Sequence, residues 1–415
     1  MRGMKLGLAA IDAVCERLGR PERRVSSVLI AGTNGKGSTA ATLASIAAAG
    51  GLAAGLYTSP HLIDVTERIR LGSEDISPEE LDAALGVVFT AADRAPKVPL
   101  TYFEAMTAAA FEGFARRGLD IAVLEVGLGG RLDATNVVPA ALSAITSISL
   151  DHTEELGATI ESIAFEKAGI FRSGRPALVE GPREEAREVL RTAASGTGAI
   201  LHEMAAETTL EPEAPSLSEM RFRLTTPQRD YELATPLLGV HQAANAAVAV
   251  RAAELLSSTC RIAPAAIVQG VRRVRWPGRL EKFRARNRTV LLDGCHNLDG
   301  ARSLASFVAG AKLNPDLVFG AMADKDIEGM AGELAPVVRG IRLVPVPSPR
   351  GATPSELARR FAGHRSDATA ARDLTAALEG FLTDPGSETI IVAGSLYLVG
   401  EARALLLSGR FDRAT

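Results

Sequence analysis

An α/β protein of two domains is what this sequence predicts, and three observations carry the prediction. Apolar runs of strand length alternate with helical segments along nearly all of the 415 residues. That alternation is the mark of parallel sheets with helical crossovers. Polar clusters recur where the apolar runs end, and in open α/β sheets the carboxyl ends of strands are where ligands bind. The pattern breaks at Trp276-Pro277-Gly278-Arg279, and a new α/β series begins beyond it. The domains are therefore expected at residues 1–275 and 276–415.

Composition agrees and excludes several classes. The chain is too long for one ordinary domain, and its 47% apolar content is ample for two cores. A net charge of −3 offers no polybasic surface for nucleic acid or membrane. Cys15, Cys260 and Cys295 are far apart and odd in number, which fits a reducing compartment and no disulfide framework. The start, Met1 to Leu8, has no apolar signal core, and no apolar run reaches membrane-spanning length. A soluble, cytoplasmic protein is expected. No internal repeat, low-complexity run or zinc-spaced Cys/His cluster interrupts the chain.

In chain order, residues 7–19 read as an amphipathic helix with Leu8, Ile11, Val14 and Leu18 on one stripe. Val25–Ala31 reads as a buried strand, Gly32-Thr33-Asn34-Gly35-Lys36-Gly37-Ser38 as a loop, and Thr39–Ala49 as a helix. Strand, glycine loop, helix is the geometry that cradles phosphates: the backbone comes close and N–H groups point at the anion. The spacing differs from the common G-x-x-x-x-G-K-[ST] loop, with Ile30 and Gly37 at two of its fixed places. A plain tight turn with Lys36 solvated is the alternative.

Leu52–Thr58 is the next strand, ending in Ser59-Pro60-His61, either a ligand edge or simply a strand stop. Ser77-Pro78-Glu79-Glu80 and Thr101-Tyr102-Phe103-Glu104 are capping boxes opening helices to about Ala92 and Arg117. By spacing alone Glu104 is a cap. Strand Asp120–Val126 carries Glu125 and runs into glycines and Asp133. A carboxylate on an apolar strand needs a partner. Near a phosphate loop that partner is Mg²⁺, or else an arginine such as Arg131. Strand Ala144–Leu150 ends in Asp151-His152, at the ligand edge or merely at the surface.

Helix Thr159–Phe171 sets Lys167 among apolar residues. There burial would lower its pKa and free a reactive amine, unless the side chain snorkels to solvent. Strand Pro176–Glu180, helix Arg183–Ala194, a hairpin of Arg221–Leu224 and Tyr231–Ala234, and helices Leu238–Leu256 and Pro264–Arg273 complete the first series. Strands Val290–Asp293, Leu317–Gly320, Leu343–Val346 and Thr389–Ala393 make the second. Its polar strand ends include Asp293-Gly-Cys-His296-Asn297, Asp324-Lys325-Asp326 and Gly394-Ser395. An active site between the domains is expected.

Taken together, these segments resemble one family. The motifs are Gly32–Ser38, Thr58–Leu62, Leu100–Glu104, Leu124–Asn136, Leu150–His152, Glu166–Ile170, His241-Gln242 with Asn245, Trp276–Arg279, Asp293–Asn297 and Gly394–Tyr397. Each alone is weak; in this order they are specific. The chain resembles the folylpolyglutamate synthase/dihydrofolate synthase family of the Mur ligase superfamily. The resemblance implies an N-terminal phosphate-loop ATPase domain and a C-terminal Rossmann-like domain. It implies an ATP-dependent ligase that adds L-glutamate to dihydropteroate or to the γ-carboxylate of folate polyglutamates through an acyl phosphate, working as a monomer.

Roles follow by the same resemblance. Asn34, Gly35, Lys36, Gly37 and Ser38 would hold the ATP phosphates, and Asn245, Arg279 and Asp293 would contact ATP. Ser59, Glu125 and His152 would carry a pair of Mg²⁺ ions, supported by a carbamylated Lys167. Thr101, Tyr102, Phe103 and Glu104, with Leu132, Asp133 and Ala134, match the pterin-pocket segments. His296 and Ser395 look like contacts for glutamate or the acyl phosphate, and Lys36, Lys167, His296 and Asp133 are the catalytic set.

Two departures stand out. Cys295 replaces the family's usual alanine. The family also carries a helical segment ahead of the Lys5–Leu8 region, close to where this sequence starts, so a differently built acceptor pocket or an upstream start is expected. The competing readings are a superfamily ligase acting on a UDP-sugar peptide and a nucleotide-binding relative without ligase chemistry. A GTPase is disfavoured because no Asn-Lys-x-Asp motif occurs.

Overall fold

The computed structural model describes residues 7–181, 183–257, 260–384 and 386–411. Lys5 and Leu6 of the opening region lie outside them. Two compact units divide the described chain. One runs to Glu211 and adds Phe222–Thr235 and Gln242–Arg275; the other holds Pro212–Arg221, Pro236–His241 and the chain from Trp276 onward.

The first unit is built on eight strands: β1 (Ser26–Ala31), β2 (Ala54–Tyr57), β3 (Ile69–Leu71), β4 (Glu74–Asp75), β5 (Ile121–Glu125), β6 (Leu142–Ile145), β7 (Pro176–Val179) and β8 (Ile200–Glu203). Their order is β4-β3-β2-β5-β1-β6-β7-β8. The run from β2 to β8 is parallel, and β3 and β4 add an antiparallel edge. β1 is central because Val28 to Ala31 are apolar on both faces and wholly buried, as a strand covered by helices on both sides requires. Burying each such large aliphatic side chain contributes roughly 1.5–3 kcal/mol. The register pairs Ile30 with Glu125 on one side and Ala144 on the other. That pairing sets Glu125 beside the strand end from which the glycine loop departs.

The helix after that loop, Lys36–Ala49, is buried along most of its length. Alanines permit this, because their small side chains let the sheet and the helix Pro264–Arg273 approach closely. Ser45 Oγ ties the two helices by donating to the carbonyl of Gly270 at 2.7 Å. The Ser77 and Thr101 capping boxes form as expected, and Thr159 makes a further one that the sequence reading did not single out.

A small sheet of β9 (Thr209–Pro212), β10 (Met220–Thr225) and β11 (Asp230–Thr235), ordered β11-β10-β9, follows in sequence. The second unit holds β12 (Arg279–Ala285), β13 (Arg288–Asp293), β14 (Asp316–Phe319), β15 (Gly340–Leu343), β16 (Thr369–Ala370) and β17 (Thr389–Ala393). They are ordered β12-β13-β17-β14-β15-β16, parallel except for β12. The expected α/β fold is present in both units.

Three local expectations differ. The helix after the glycine loop begins at Lys36, not Thr39, so Lys36, Gly37 and Ser38 form its first turn. β6 stops at Ile145 instead of reaching Leu150, because Thr146, Ser147 and Ser149 bond to the glycine loop and leave the strand ladder. The strand expected at Leu343–Val346 lies earlier, at Gly340–Leu343. Among the described residues no helix is long and apolar enough to cross a membrane.

Candidate active site

The glycine loop leaves β1 at Gly32 and ends at Gly35, whose φ is 86°. Gly32, with φ 150°, lies so close to Thr146 that a Cβ would stand 1.8 Å from Thr146 Oγ1. A Cβ on Gly35 would stand 2.2 Å from Asn245 Oδ1. Both glycines are thus demanded by close approach as well as by backbone conformation. The loop is fastened from the strand behind it. Thr146 Oγ1 donates to the Asn34 carbonyl at 2.7 Å, Ser147 Oγ accepts from Asn34 N–H at 3.1 Å, and Thr33 Oγ1 donates to the Ser149 carbonyl at 3.1 Å. Sequence reading passed over these three residues, whose polar alternation looks like a half-buried strand.

The helical ladder starts with Thr39 N–H donating to the Gly35 carbonyl at 2.9 Å. The N–H groups of Lys36, Gly37 and Ser38 therefore stand at the helix N-terminus without intrahelical acceptors, an anion-binding arrangement. Asn245 is brought to this loop from the helix Val240–Leu256. Its carbonyl accepts from Thr39 Oγ1 at 3.3 Å, and its amide donates to Gln242 Oε1 at 3.0 Å.

Lys36 and Lys167 meet over one atom. Lys36 Nζ donates to the carbonyls of Gly32 and Thr33 at 3.1 and 3.0 Å. Lys167 Nζ, buried, donates to the Gly32 carbonyl at 2.8 Å. Burial, then the positive charge of Lys36, lower the Lys167 pKa to about 7, with Asp151 opposing. The lysine does not snorkel to solvent. Its helix is held by Arg131, which pairs with Glu166 at 2.7 Å and whose N–H donates to the Glu166 carbonyl. Arg131, considered above as a partner for Glu125, is committed there.

Glu125 ends β5 and is buried. Ser59, at the end of β2, donates its backbone N–H to Glu125 Oε2 at 3.2 Å. His152, at φ 51°, opens the short helix Thr153–Leu156. Among the described residues no three His, Cys, Asp or Glu side chains form a metal-holding group. The expected set has just two of those types and a serine, and its donors suit a hard cation with water completing the shell.

The Thr101–Glu104 segment does two jobs at once. Glu104 Oε2 accepts from Thr101 N–H and Oγ1, both at 2.8 Å, so it caps the helix as spacing suggests. Glu104 Oε1 is buried with no hydrogen-bond partner in the structure. Phe103 packs against Tyr57, ring centres 6.0 Å apart, and Tyr102 is largely exposed. Asp133 is buried, and burial raises its pKa although Thr135 and Leu128 donate to it. Leu132 is half-buried and Ala134 buried beside it.

In the second unit the expected residues gather at the ends of neighbouring strands. Asp293 ends β13 and accepts from the N–H groups of Leu280 and Cys295 at 3.1 and 3.0 Å. Arg279 opens β12, with Nη1 donating to the Gly278 carbonyl at 3.1 Å. His296 Nδ1 lies 2.9 Å from the Gly294 carbonyl. Ser395 follows β17 and caps the next helix by accepting from Tyr397 N–H at 3.3 Å.

Known proteins resemble this chain along nearly its whole length. Residues 30–253 match the Mur ligase middle domain, and residues 278–396 match the Mur ligase, glutamate ligase domain. Dihydrofolate synthase/folylpolyglutamate synthase of Bacillus subtilis is 35% identical over 97% of this chain and 96% of its own length. The structure of E. coli FolC in complex with DHPP and ADP superposes with a TM-score of 0.88 at 32% identity, covering 99% of this chain and 95% of that one. The bifunctional folylpolyglutamate synthase/dihydrofolate synthase of Yersinia pestis, complexed with AMPPNP and Mn ion, gives 0.87 at 34%, covering 98% and 95%. The chain belongs to the Mur ligases, among the dihydrofolate synthase/folylpolyglutamate synthases, and is an ATP-dependent glutamate ligase.

Proposed function

We propose that the chain joins L-glutamate to the carboxylate of dihydropteroate, to the γ-carboxylate of folate polyglutamates, or to both. The observation that carries this reading is the gathering of the glycine loop, Lys36, Lys167, Ser59 and Glu125 at the carboxyl ends of β1, β2 and β5. That edge supplies anion-binding N–H groups, a cation and a buried carboxylate in one place.

Residues 1–275 would form the ATP-binding domain and 276–415 the ligase domain, a division supported by the compact unit that ends at Arg275. Asn34 to Ser38 would hold the phosphates, and Asn245, Arg279 and Asp293 would contact the nucleotide. Ser59, Glu125 and His152 would hold Mg²⁺. When bound, the ion neutralises charge on the phosphoryl group being transferred. Lys36 adds its own positive charge at the same place.

The acceptor carboxylate attacks the γ-phosphoryl group, ADP leaves, and an acyl phosphate forms. The α-amine of glutamate then attacks the acyl carbon, phosphate leaves, and the amine loses a proton. His296 and Ser395 would contact glutamate or the acyl phosphate. Tyr102, Phe103 and Glu104, with Leu132 to Ala134, would hold the pterin. The buried, unpartnered Glu104 Oε1 supports this, since a ring N–H would satisfy it.

Lys167 would carry CO₂ as a carbamate. Its lowered pKa supplies neutral amine at neutral pH. The amine adds to CO₂, a proton departs, and the carbamate keeps one N–H able to donate to the Gly32 carbonyl. The enzyme would work as a cytoplasmic monomer.

The test is ADP release that depends on both glutamate and acceptor, measured with dihydropteroate and with tetrahydrofolate side by side. Turnover with either acceptor supports the reading. Absence of ADP with both, at saturating Mg²⁺ and bicarbonate, overturns it.

A further inference from the structure

The polar turn after β2 holds an arginine that the roles above leave unused. Arg68 lies opposite the end of β2: its carbonyl accepts from Thr58 N–H at 2.9 Å, next to Ser59. Its Nε donates to His61 Nδ1 at 2.9 Å. Its guanidinium carbon lies 5.4 Å from the centre of the Tyr102 ring. It is also close enough to the buried Tyr57 hydroxyl to be felt there electrostatically, as are Asp133 and Tyr102. Arg68 therefore belongs to the neighbourhood of the Thr101–Glu104 and Leu132–Ala134 segments.

Its charge has no counter-ion among the described residues. The nearest carboxylates in sequence are engaged by the turn itself. Glu67 accepts backbone N–H groups of Leu62, Ile63 and Asp64, and Asp64 accepts from Thr66. Arg70, two residues on, pairs with Asp75 at 3.3 Å. Arg68 is half-buried, anchored through Nε and set over an aromatic face. That leaves its two Nη groups as a prearranged fork, the geometry that takes a carboxylate by two parallel hydrogen bonds.

We propose that Arg68 binds a carboxylate of the acceptor that is not the one being activated: the α-carboxylate of a glutamyl unit already present. This deepens the reading under Proposed function and rests on it. Dihydropteroate has a single carboxylate, which must go to the phosphoryl group, so it gives Arg68 nothing to bind. A glutamylated acceptor has an α-carboxylate beside the reacting γ-carboxylate. Arg68 is then a specificity-determining residue for chain extension, positioned by His61 and Tyr102.

The experiment compares two acceptors, tetrahydrofolate and its analogue with the α-carboxylate converted to a carboxamide. With the wild-type enzyme the amide should raise KM about tenfold or more, as expected for a lost charge-assisted hydrogen bond. With Arg68→Gln the two acceptors should have KM values within about twofold, whatever loss they share. Arg68→Lys, which keeps the charge without the fork, should fall between. Equal KM values for acid and amide in the wild type overturn the proposal, even if Arg68→Gln fails to fold. A KM ratio in Arg68→Gln as large as in the wild type overturns it too. Turnover of dihydropteroate but not of tetrahydrofolate by the wild type overturns this proposal alone, and failure with both acceptors overturns the underlying functional reading with it.

Discussion

Lys36 and Lys167 donate to the same carbonyl oxygen, that of Gly32, at 3.1 and 2.8 Å. Two ammonium groups converging on one acceptor repel each other, and the buried one yields its proton more easily. Burial above all, and then this repulsion, lower the Lys167 pKa from 10.5 to about 7. Bicarbonate should therefore activate the enzyme increasingly as pH rises through about 7, since only the neutral amine captures CO₂. The check is a rate–pH series on bicarbonate-depleted enzyme with and without added bicarbonate, alongside ¹³C-NMR of enzyme loaded with labelled bicarbonate. Lys167→Ala should lose at least about a hundredfold in activity, with partial return on adding a short carboxylic acid.

The same shift has a consequence for stability. Between pH 7 and 10.5 the unfolded chain keeps a proton on Lys167 that the folded chain has lost. Unfolding then takes up a proton, so this residue makes stability rise with pH across that window. Below pH 7 both states are protonated and the burial cost is fully present. Lys167→Met should flatten the slope, as read from denaturant midpoints in a pH series.

Gly35→Ala should cripple nucleotide binding while the fold survives. The new Cβ would stand 2.2 Å from Asn245 Oδ1, and the φ of 86° is one that alanine resists. Either Asn245 swings away or the loop shifts, and both misplace the N–H groups of the first helical turn. An ADP affinity at least about tenfold weaker is expected by calorimetry, with a near-native circular dichroism spectrum. Unchanged ADP affinity would show that the loop is not the phosphate cradle.

Much of this was legible because it is local. Capping boxes at Thr101 and Ser77, and a glycine loop between an apolar strand and an alanine-rich helix, state their geometry within a few residues. What escaped is set by partners distant in the chain. Thr146 and Ser147 alternate like strand residues, yet their hydrogen bonds go to Asn34, more than a hundred positions away. β12 was missed because an edge strand exposes Lys282 and Arg284, and its alternation is diluted by charge. Lys167 reads as a residue that reaches solvent until the fold sets it against Gly32, 135 positions earlier. Arg68 gave no signal, because nothing in the sequence tells which arginine lacks a counter-ion.

Glu125→Gln separates charge from shape. Gln keeps an oxygen that can accept from Ser59 N–H, so the turn after β2 should stay in place. What is lost is the negative charge that a divalent cation needs. The concentration of Mg²⁺ for half-maximal rate should rise by about tenfold or more, with little change in melting temperature. An unaltered Mg²⁺ dependence would remove Glu125 from the metal site.

Asp293 offers the opposite case, a proposed nucleotide contact whose carboxylate also holds the backbone. One oxygen accepts from Leu280 N–H, at the residue with φ 48°, and the other from Cys295 N–H. Asparagine has a single carbonyl oxygen, so one of these buried donors would face an NH₂ group. Asp293→Asn should cost about 1–3 kcal/mol of stability, besides any effect on nucleotide binding. Cys295→Ala removes only a buried thiol whose pKa burial drives well above its ordinary value. It should cost about 1 kcal/mol or less and leave ADP affinity unchanged. Urea denaturation of the two variants against the wild type checks both, and a Cys295→Ala loss as large as that of Asp293→Asn would contradict this assignment of the backbone-holding role.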